Sequence, residues 1–173
     1  MVQYWNLLAK EEGFSGMYFI GTNDPKWKMR KMDAGLIYEP GHSQHEKSSN
    51  VVYAKKMKAV LKKMNINIPC IYHYDMFWKG ILKRQDVDGM YYGGVVDYDN
   101  TPRKSVRGDL MWGMTPHKFG KYFRCLYQKA VDRGDAYIFL NAWNEWGEGA
   151  YLEPDSKYGI RCLQELKNAI KSV

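Results

Sequence analysis

Tyr137-Ile-Phe-Leu-Asn-Ala-Trp-Asn-Glu-Trp-Gly-Glu-Gly-Ala-Tyr-Leu-Glu-Pro-Asp155 begins as a strand and ends as a loop. Ala136 to Leu140 is an apolar run too short for a helix and rich in β-formers, so it reads as a buried strand. Past its end come two tryptophans, Trp143 and Trp146, two asparagines, Asn141 and Asn144, and two carboxylates, Glu145 and Glu148. Gly147 and Gly149 let the backbone bend between them. Carboxylates transfer protons or accept hydrogen bonds from hydroxyls, and an indole face is a flat platform for the C–H side of a sugar ring. A lone glutamate here would suit a solvated turn. This mixture at one strand end indicates a carbohydrate site.

Upstream, three more apolar runs read as strands: Gly16 to Gly21, Ala34 to Glu39, and Met90 to Asp97, whose Gly93 and Gly94 imply a close backbone approach or a bulge. Helical patterns separate them. Residues 2–12 place Tyr4, Leu7, Leu8 and Glu11 at helical spacing and stop at Gly13. A short basic helix is expected from Lys26 to about Met32, with Asp24 as N-cap and Pro25 at the first helical position. Val51 to Met64 is amphipathic, with Tyr53, Met57, Val60, Leu61 and Met64 expected to face inward and its lysines outward. Ile66 to Tyr74 is extended, and Asp75 caps a helix through Gln85. Thr115-Pro116 opens a long helix burying Phe119, Tyr122, Phe123, Leu126 and Ala130, closed by Gly134. A last helix from about Tyr158 to Lys171 is expected to bury Leu163, Leu166 and Ile170.

Strands alternating with helices predict an α/β fold of parallel βα units. An open doubly wound sheet and part of a (β/α)8 barrel both satisfy the pattern. In either, functional residues collect at strand C-termini, where Glu39, Asp97, Asp99, Asn141, Asn144 and Glu145 fall. Gly41 to Asn50 reads as a polar loop. His42 and His45, with Glu46 beside them, can ligate metal in principle, but off a helix and without a third defined ligand no metal site is expected there. Asp97-Tyr98-Asp99 after a strand is an Asp-x-Asp arrangement, which can hold Mg²⁺ or Mn²⁺ against the diphosphate of a nucleotide sugar. No Gly-rich phosphate turn accompanies it.

The 173 residues suffice for one domain, and 26 Lys and Arg against 19 Asp and Glu leave a net charge of +7. No nucleic-acid-binding motif accompanies that charge, so no nucleic-acid partner is expected. Cys70, Cys125 and Cys162 are odd in number and widely spaced, which suggests neither a disulfide framework nor a zinc site and suits a reducing cytoplasm. No apolar run reaches transmembrane length, and no transmembrane segment is expected.

The run Asn141 to Asp155 resembles the signature of the WbsX-type glycosyltransferase family, a group related to glycoside hydrolase family 99, the endo-α-mannosidases. Val95-Val-Asp-Tyr-Asp-Asn-Thr-Pro-Arg103 resembles the family's earlier segment, with Tyr98 for its usual Trp and Pro102 for its usual Ala. Asp33-Ala-Gly-Leu-Ile-Tyr-Glu-Pro40 is a third, weaker match. The resemblance implies the C-terminal half of a (β/α)8 TIM-type barrel, one partial domain over residues 1–173. The family's opening strand and its Leu-Pro-Gln-Phe-His stretch have no counterpart here. Self-association through unpaired barrel edges is then expected.

In function, the resemblance implies an enzyme acting on a poly- or oligosaccharide in capsule or O-antigen metabolism, with no metal or organic cofactor. Carried over residue by residue, it makes Glu145 a base on the sugar's own 2-hydroxyl and Glu148 the general acid. Gly147 stands where the hydrolase pattern has His. Glu148 would then need to stay protonated near neutrality, through Trp143, Trp146 and the charge of Glu145. Sugar hydroxyls and rings would meet Glu39, Asp97, Asp99, Asn100, Asn141, Trp143, Asn144, Trp146 and Glu153. Two other readings stand beside this one: a metal-dependent nucleotide-sugar transferase using Asp97 and Asp99, and a non-catalytic glycan-binding or truncated fragment.

Overall fold

The computed structural model describes residues 1–46 and 49–173. In chain order its elements are α1 (Val2–Glu11), β1 (Ile20–Thr22), β2 (Ala34–Leu36), α2 (Gly41–His45), α3 (Ser49–Lys63), β3 (Cys70–His73), α4 (Tyr74–Lys83), β4 (Met90–Tyr91) and β5 (Gly93–Val95). Then follow α5 (Thr101–Lys104), β6 (Asp109–Trp112), α6 (Pro116–Arg133), β7 (Phe139–Asn141), β8 (Asn144–Glu145), β9 (Ala150–Tyr151) and α7 (Arg161–Lys171).

The fold is mixed α/β with parallel pairing. β1, β2 and β4 form one ladder in that order, Gly21 opposite Gly35 and Gly35 opposite Met90. The run of β4 is interrupted at Tyr92, whose carbonyl accepts from Phe139 N, and resumes as β5, which pairs with β7. Four parallel segments therefore follow one another in chain order. Gly93 makes this possible: a Cβ there would lie 2.0 Å from the Ile37 carbonyl oxygen, so any side chain would push the segment after β2 away.

Helices α4 and α6 pack their apolar faces into the core beneath these strands. Trp78 is fully buried and stacks on Tyr122, with centroids 5.9 Å apart and planes 9° from parallel. Such a pair contributes about 0.5–1.5 kcal/mol beyond its burial. The caps of α6 are those read from sequence: Thr115 Oγ1 accepts from Lys118 N at 3.2 Å, and Gly134 adopts the left-handed conformation (φ 76°). Its buried residues include Phe119, Tyr122, Phe123, Leu126 and Ala130, as expected.

Elsewhere the structure corrects the sequence reading. The 109–112 segment is a strand, β6, in parallel register with β3. Its four residues begin with a charge, and its partner lies some forty positions earlier, so no local signal marks it. Lys26 to Met32 is a series of turns rather than a helix, anchored where Asp24 Oδ1 accepts from Lys26 N. Met17 and Tyr18 are exposed, so the first strand is shorter than its apolar run. The expected polar loop contains a short helix, α2, while Lys47 and Ser48 lie outside the described residues. His73, not Asp75, precedes α4, and Asp75 instead accepts from Lys118 and Tyr122.

Two helices are rotated from their expected orientation. α7 buries Cys162 and Ala169, with Leu163 and Leu166 packed at the core margin and Ile170 44% exposed. α3 turns Val51 and Ala54 inward and leaves Tyr53, Met57 and Val60 in solvent, where Met64 also lies just past its end. Both arcs of α3 are apolar at helical spacing, so periodicity does not choose between them. The arc with the smaller side chains lets the helix approach β3 and α4 closely.

Candidate functional site

β7 ends at Asn141, and the chain then doubles back as the antiparallel pair β8 and β9, with Glu145 opposite Ala150. Between them Trp146 to Glu148 form one 3-10 turn, followed by Gly149 in the left-handed conformation. This turn is tied to the end of β5: Asp99 N donates to the Glu148 carbonyl at 2.7 Å. Asp99 Oδ1 in turn accepts from Thr101 N (2.9 Å) and Thr101 Oγ1 (2.6 Å) at the start of α5. α5 delivers Arg103, whose Nη2 lies 2.7 Å from Glu148 Oε1.

Gly147 leaves room for Arg103 and Glu145 on its open side. A Cβ at that position would sit 3.1 Å from Arg103 Nη1 and 3.2 Å from Glu145 Oε1. Glu148 is paired with the guanidinium, while Arg103 and Glu145 both crowd the space that a side chain at position 147, such as a histidine, would enter. Glu148 was expected among Trp143, Trp146 and the Glu145 charge. Its partner in the structure is instead a cation.

The remaining candidates divide. Asn141 is buried and its Oδ1 accepts from Tyr38 Oη at 2.7 Å. The Tyr38 phenol is held above its ordinary pKa by burial first, then by Glu148 and Glu145, which places it in the field of both carboxylates. Trp143 and Asn144 are exposed. Trp146 stacks on Tyr151 with centroids 3.8 Å apart, its indole N–H donates to Glu153, and it remains 49% exposed. This gives a braced aromatic platform beside the glutamates.

Glu39, Asn100 and Asp97 face inward. Glu39 is fully buried and accepts from Ser43 N, Ser43 Oγ and Arg84 Nη1 (2.9 Å). Asn100 is buried between Tyr98, to whose Oη it donates, and Asp109, whose amide it accepts. Asp97 Oδ1 accepts from its neighbour Tyr98 N at 2.9 Å. Sequence reasoning missed Tyr38 and Arg103 as site residues. Both lie inside the matched segments, and Tyr38 is the immediate neighbour of Glu39.

Burial pushes the Asp97 carboxyl up to about 6; the Tyr98 amide and Lys157 oppose this, while Asp99 adds to it. Between the ordinary value of 3.8 and about 6 the folded chain holds a proton the unfolded chain has released. Stability therefore falls as pH rises through that window and levels off above it. At roughly 1.4 kcal/mol per pK unit the loss is about 2–3 kcal/mol. Asp97→Asn is expected to remove this fall, melting above the parent protein at pH 7.5. Melts in which the variant is the less stable at pH 7.5 would show that Asp97 contributes as a charge.

The model of the family described as Glycosyltransferase WbsX matches residues 1–166. The uncharacterized protein WxcX of Xanthomonas campestris pv. campestris, in strains B100 and ATCC 33913, is 33% identical over 84 residues. That stretch covers 47% of this chain and 12% of WxcX. Two structures of the GH99 endo-α-mannosidase from Bacteroides thetaiotaomicron, one in complex with BIS-TRIS-propane, are similar at 18% identity with TM-scores of 0.42 and 0.43. They align over 91% of this chain and 48% and 46% of theirs, so the chain spans less than half of each.

Proposed function

We propose, because this chain belongs to the glycosyltransferase WbsX family, that it carries the reactive end of a carbohydrate-active enzyme. Its substrate is a poly- or oligosaccharide, and its chemistry is carboxylate acid–base catalysis at a glycosidic bond. The observation that supports this best is the turn at Gly147, which gathers Glu145, Glu148 and Arg103 beside the Trp146 platform. Glu145 takes the proton of the sugar's 2-hydroxyl as that oxygen attacks C1. The bond from C1 to the leaving oxygen breaks, and Glu148 supplies the proton that oxygen needs. Water or an acceptor hydroxyl then attacks C1 and opens the 1,2-anhydro ring: Glu148 takes the nucleophile's proton, Glu145 returns its proton to O2, and hydrolysis or transfer is complete. Arg103 holds the Glu148 carboxylate in place within each cycle, after it has given up its proton and before it regains one.

The chain-ordered parallel segments support a place within a (β/α)8 barrel, of which residues 1–173 form one partial domain. β1 and β7 each pair on one side among the described residues, so the isolated chain is expected to self-associate. A single monodisperse monomer in sedimentation velocity would contradict that architecture. We place the activity in capsule or O-antigen metabolism on the family resemblance, and in the cytoplasm on the odd, widely spaced Cys70, Cys125 and Cys162. Among the described residues, no helix is long and apolar enough to cross a membrane.

The test is product analysis. Fluorescently tagged oligosaccharides incubated with the purified protein are expected to gain or lose whole sugar units by mass spectrometry, with an acceptor glycan diverting hydrolysis into transfer. The competing metal-dependent nucleotide-sugar reading fits less well, because Asp97 and Asp99 each turn a carboxylate oxygen onto neighbouring backbone amides. No change in any glycan, with micromolar Mn²⁺-dependent UDP or GDP binding lost in Asp97→Asn, would favour that reading instead.

A further inference from the structure

Tyr53, Met57 and Val60 recur on α3 at spacings of four and three, which confines them to an arc of about 60° on the helix, and Met64 follows in the turn just past its end. They are 64%, 42%, 53% and 64% exposed. At one end this stripe continues onto the outer face of the β3–β6 pair. Tyr53 lines a cavity of about 250 Å³ together with Ile71 and Trp112, which are 44% and 64% exposed. The ring of Trp112 is held edge-on by His73, with centroids 5.6 Å apart. A water-exposed surface of this length carrying Tyr, Trp, Met, Val and Ile is larger than scattered surface apolar residues explain.

Charge distinguishes this face from the other exposed apolar helix. α1 also leaves Tyr4, Trp5 and Leu7 in solvent, but its Lys10 is offset by Glu11 and Glu12. α3 carries five lysines and no acid over residues 49–63. Lys56 and Lys63 lie along the margin of the stripe by helical spacing, and neither is in a salt bridge among the described residues. An apolar stripe with aromatic residues at its end and lysines at its margin matches the anatomy of a helix lying in the interface of an anionic bilayer.

We propose that α3 and the outer face of β3–β6 dock this protein onto an anionic membrane surface. The stripe enters the headgroup and acyl boundary, Trp112 and Tyr53 sit at headgroup level, and Lys56 and Lys63 meet lipid phosphates. The acidic lipid supplies the charge that α3 lacks. A glycan-modifying site carried on such a face would reach saccharides held at a membrane, although the docking itself is independent of that activity.

Vesicle co-sedimentation of the whole chain tests the proposal, with phosphatidylcholine alone and with about 30 mol % phosphatidylglycerol added. At least tenfold stronger binding to the anionic vesicles is expected, weakening as salt rises. At roughly fivefold per lysine, Lys56→Gln with Lys63→Gln is expected to cost about 25-fold. Met57→Ser with Val60→Ser and Met64→Ser is expected to abolish binding while leaving the melting temperature unchanged, since these side chains are exposed. Binding that ignores lipid charge, or that survives the serine variant, overturns the proposal. So does a chain that stays in the supernatant when the vesicles pellet but forms a dimer that the serine variant dissolves, which assigns the face to a second copy.

Discussion

Glu145→Gln is expected to slow turnover of a glycan by on the order of 10²–10⁴-fold whichever leaving group the substrate carries. Glu148→Gln is expected to lose a similar factor on a natural sugar leaving group and to recover most of it on an activated aryl leaving group. The asymmetry follows from the roles. An activated leaving group departs without a proton, so it relieves the need for an acid and leaves the need for a base untouched. Arg103→Gln extends the test, because it removes the guanidinium that lies 2.7 Å from Glu148 and leaves both glutamates in place. It is expected to cost less than either glutamate variant on the natural substrate, and less again on the activated one. Equal, small losses in both glutamate variants on both substrates would show that these carboxylates bind glycan rather than catalyse.

Arg84→Met is expected to destabilise the fold by about 3–5 kcal/mol, more than other single changes near the site. It strips the partner from Glu39, a carboxylate with no solvent exposure that would be left with Ser43 alone. Arg84 itself is nearly buried, its side chain 14% exposed, and also reaches Glu46 and Ser43 Oγ, so its loss opens a network rather than one bond. Adding Glu39→Gln to Arg84→Met removes the stranded charge and is expected to restore part of the loss. Urea denaturation of the single and double variants gives the comparison. A single variant within about 1 kcal/mol of the parent would mean that water reaches Glu39 when Arg84 is absent. The same series separates Glu39 from the glycan site: Glu39→Gln should move stability and leave KM where it was.

The sequence alone determined those features whose cause is local. The caps and apolar face of α6 were legible because Thr115-Pro116, Gly134 and the Phe119 to Ala130 spacing act within one helix. Gly93 was legible as either a close approach or a bulge, of which the structure shows the close approach, and the gathering of Glu145, Glu148 and Trp146 because one turn of chain holds all three. Tertiary structure decided everything that depended on which way a residue faces. Glu39 and Tyr38 are adjacent, and alternation in an extended chain sends neighbours to opposite sides. The glutamate turned toward Ser43 and Arg84, while the tyrosine turned toward Asn141 and the carboxylates. α3 offered two apolar arcs, and the closeness with which Val51 and Ala54 could approach β3 and α4 chose between them. β6 became a strand through β3, and Arg103 became part of the site through a glutamate 45 residues later. Such pairings rest on contacts between distant segments, whose free energy exists only once the backbone between them has been ordered.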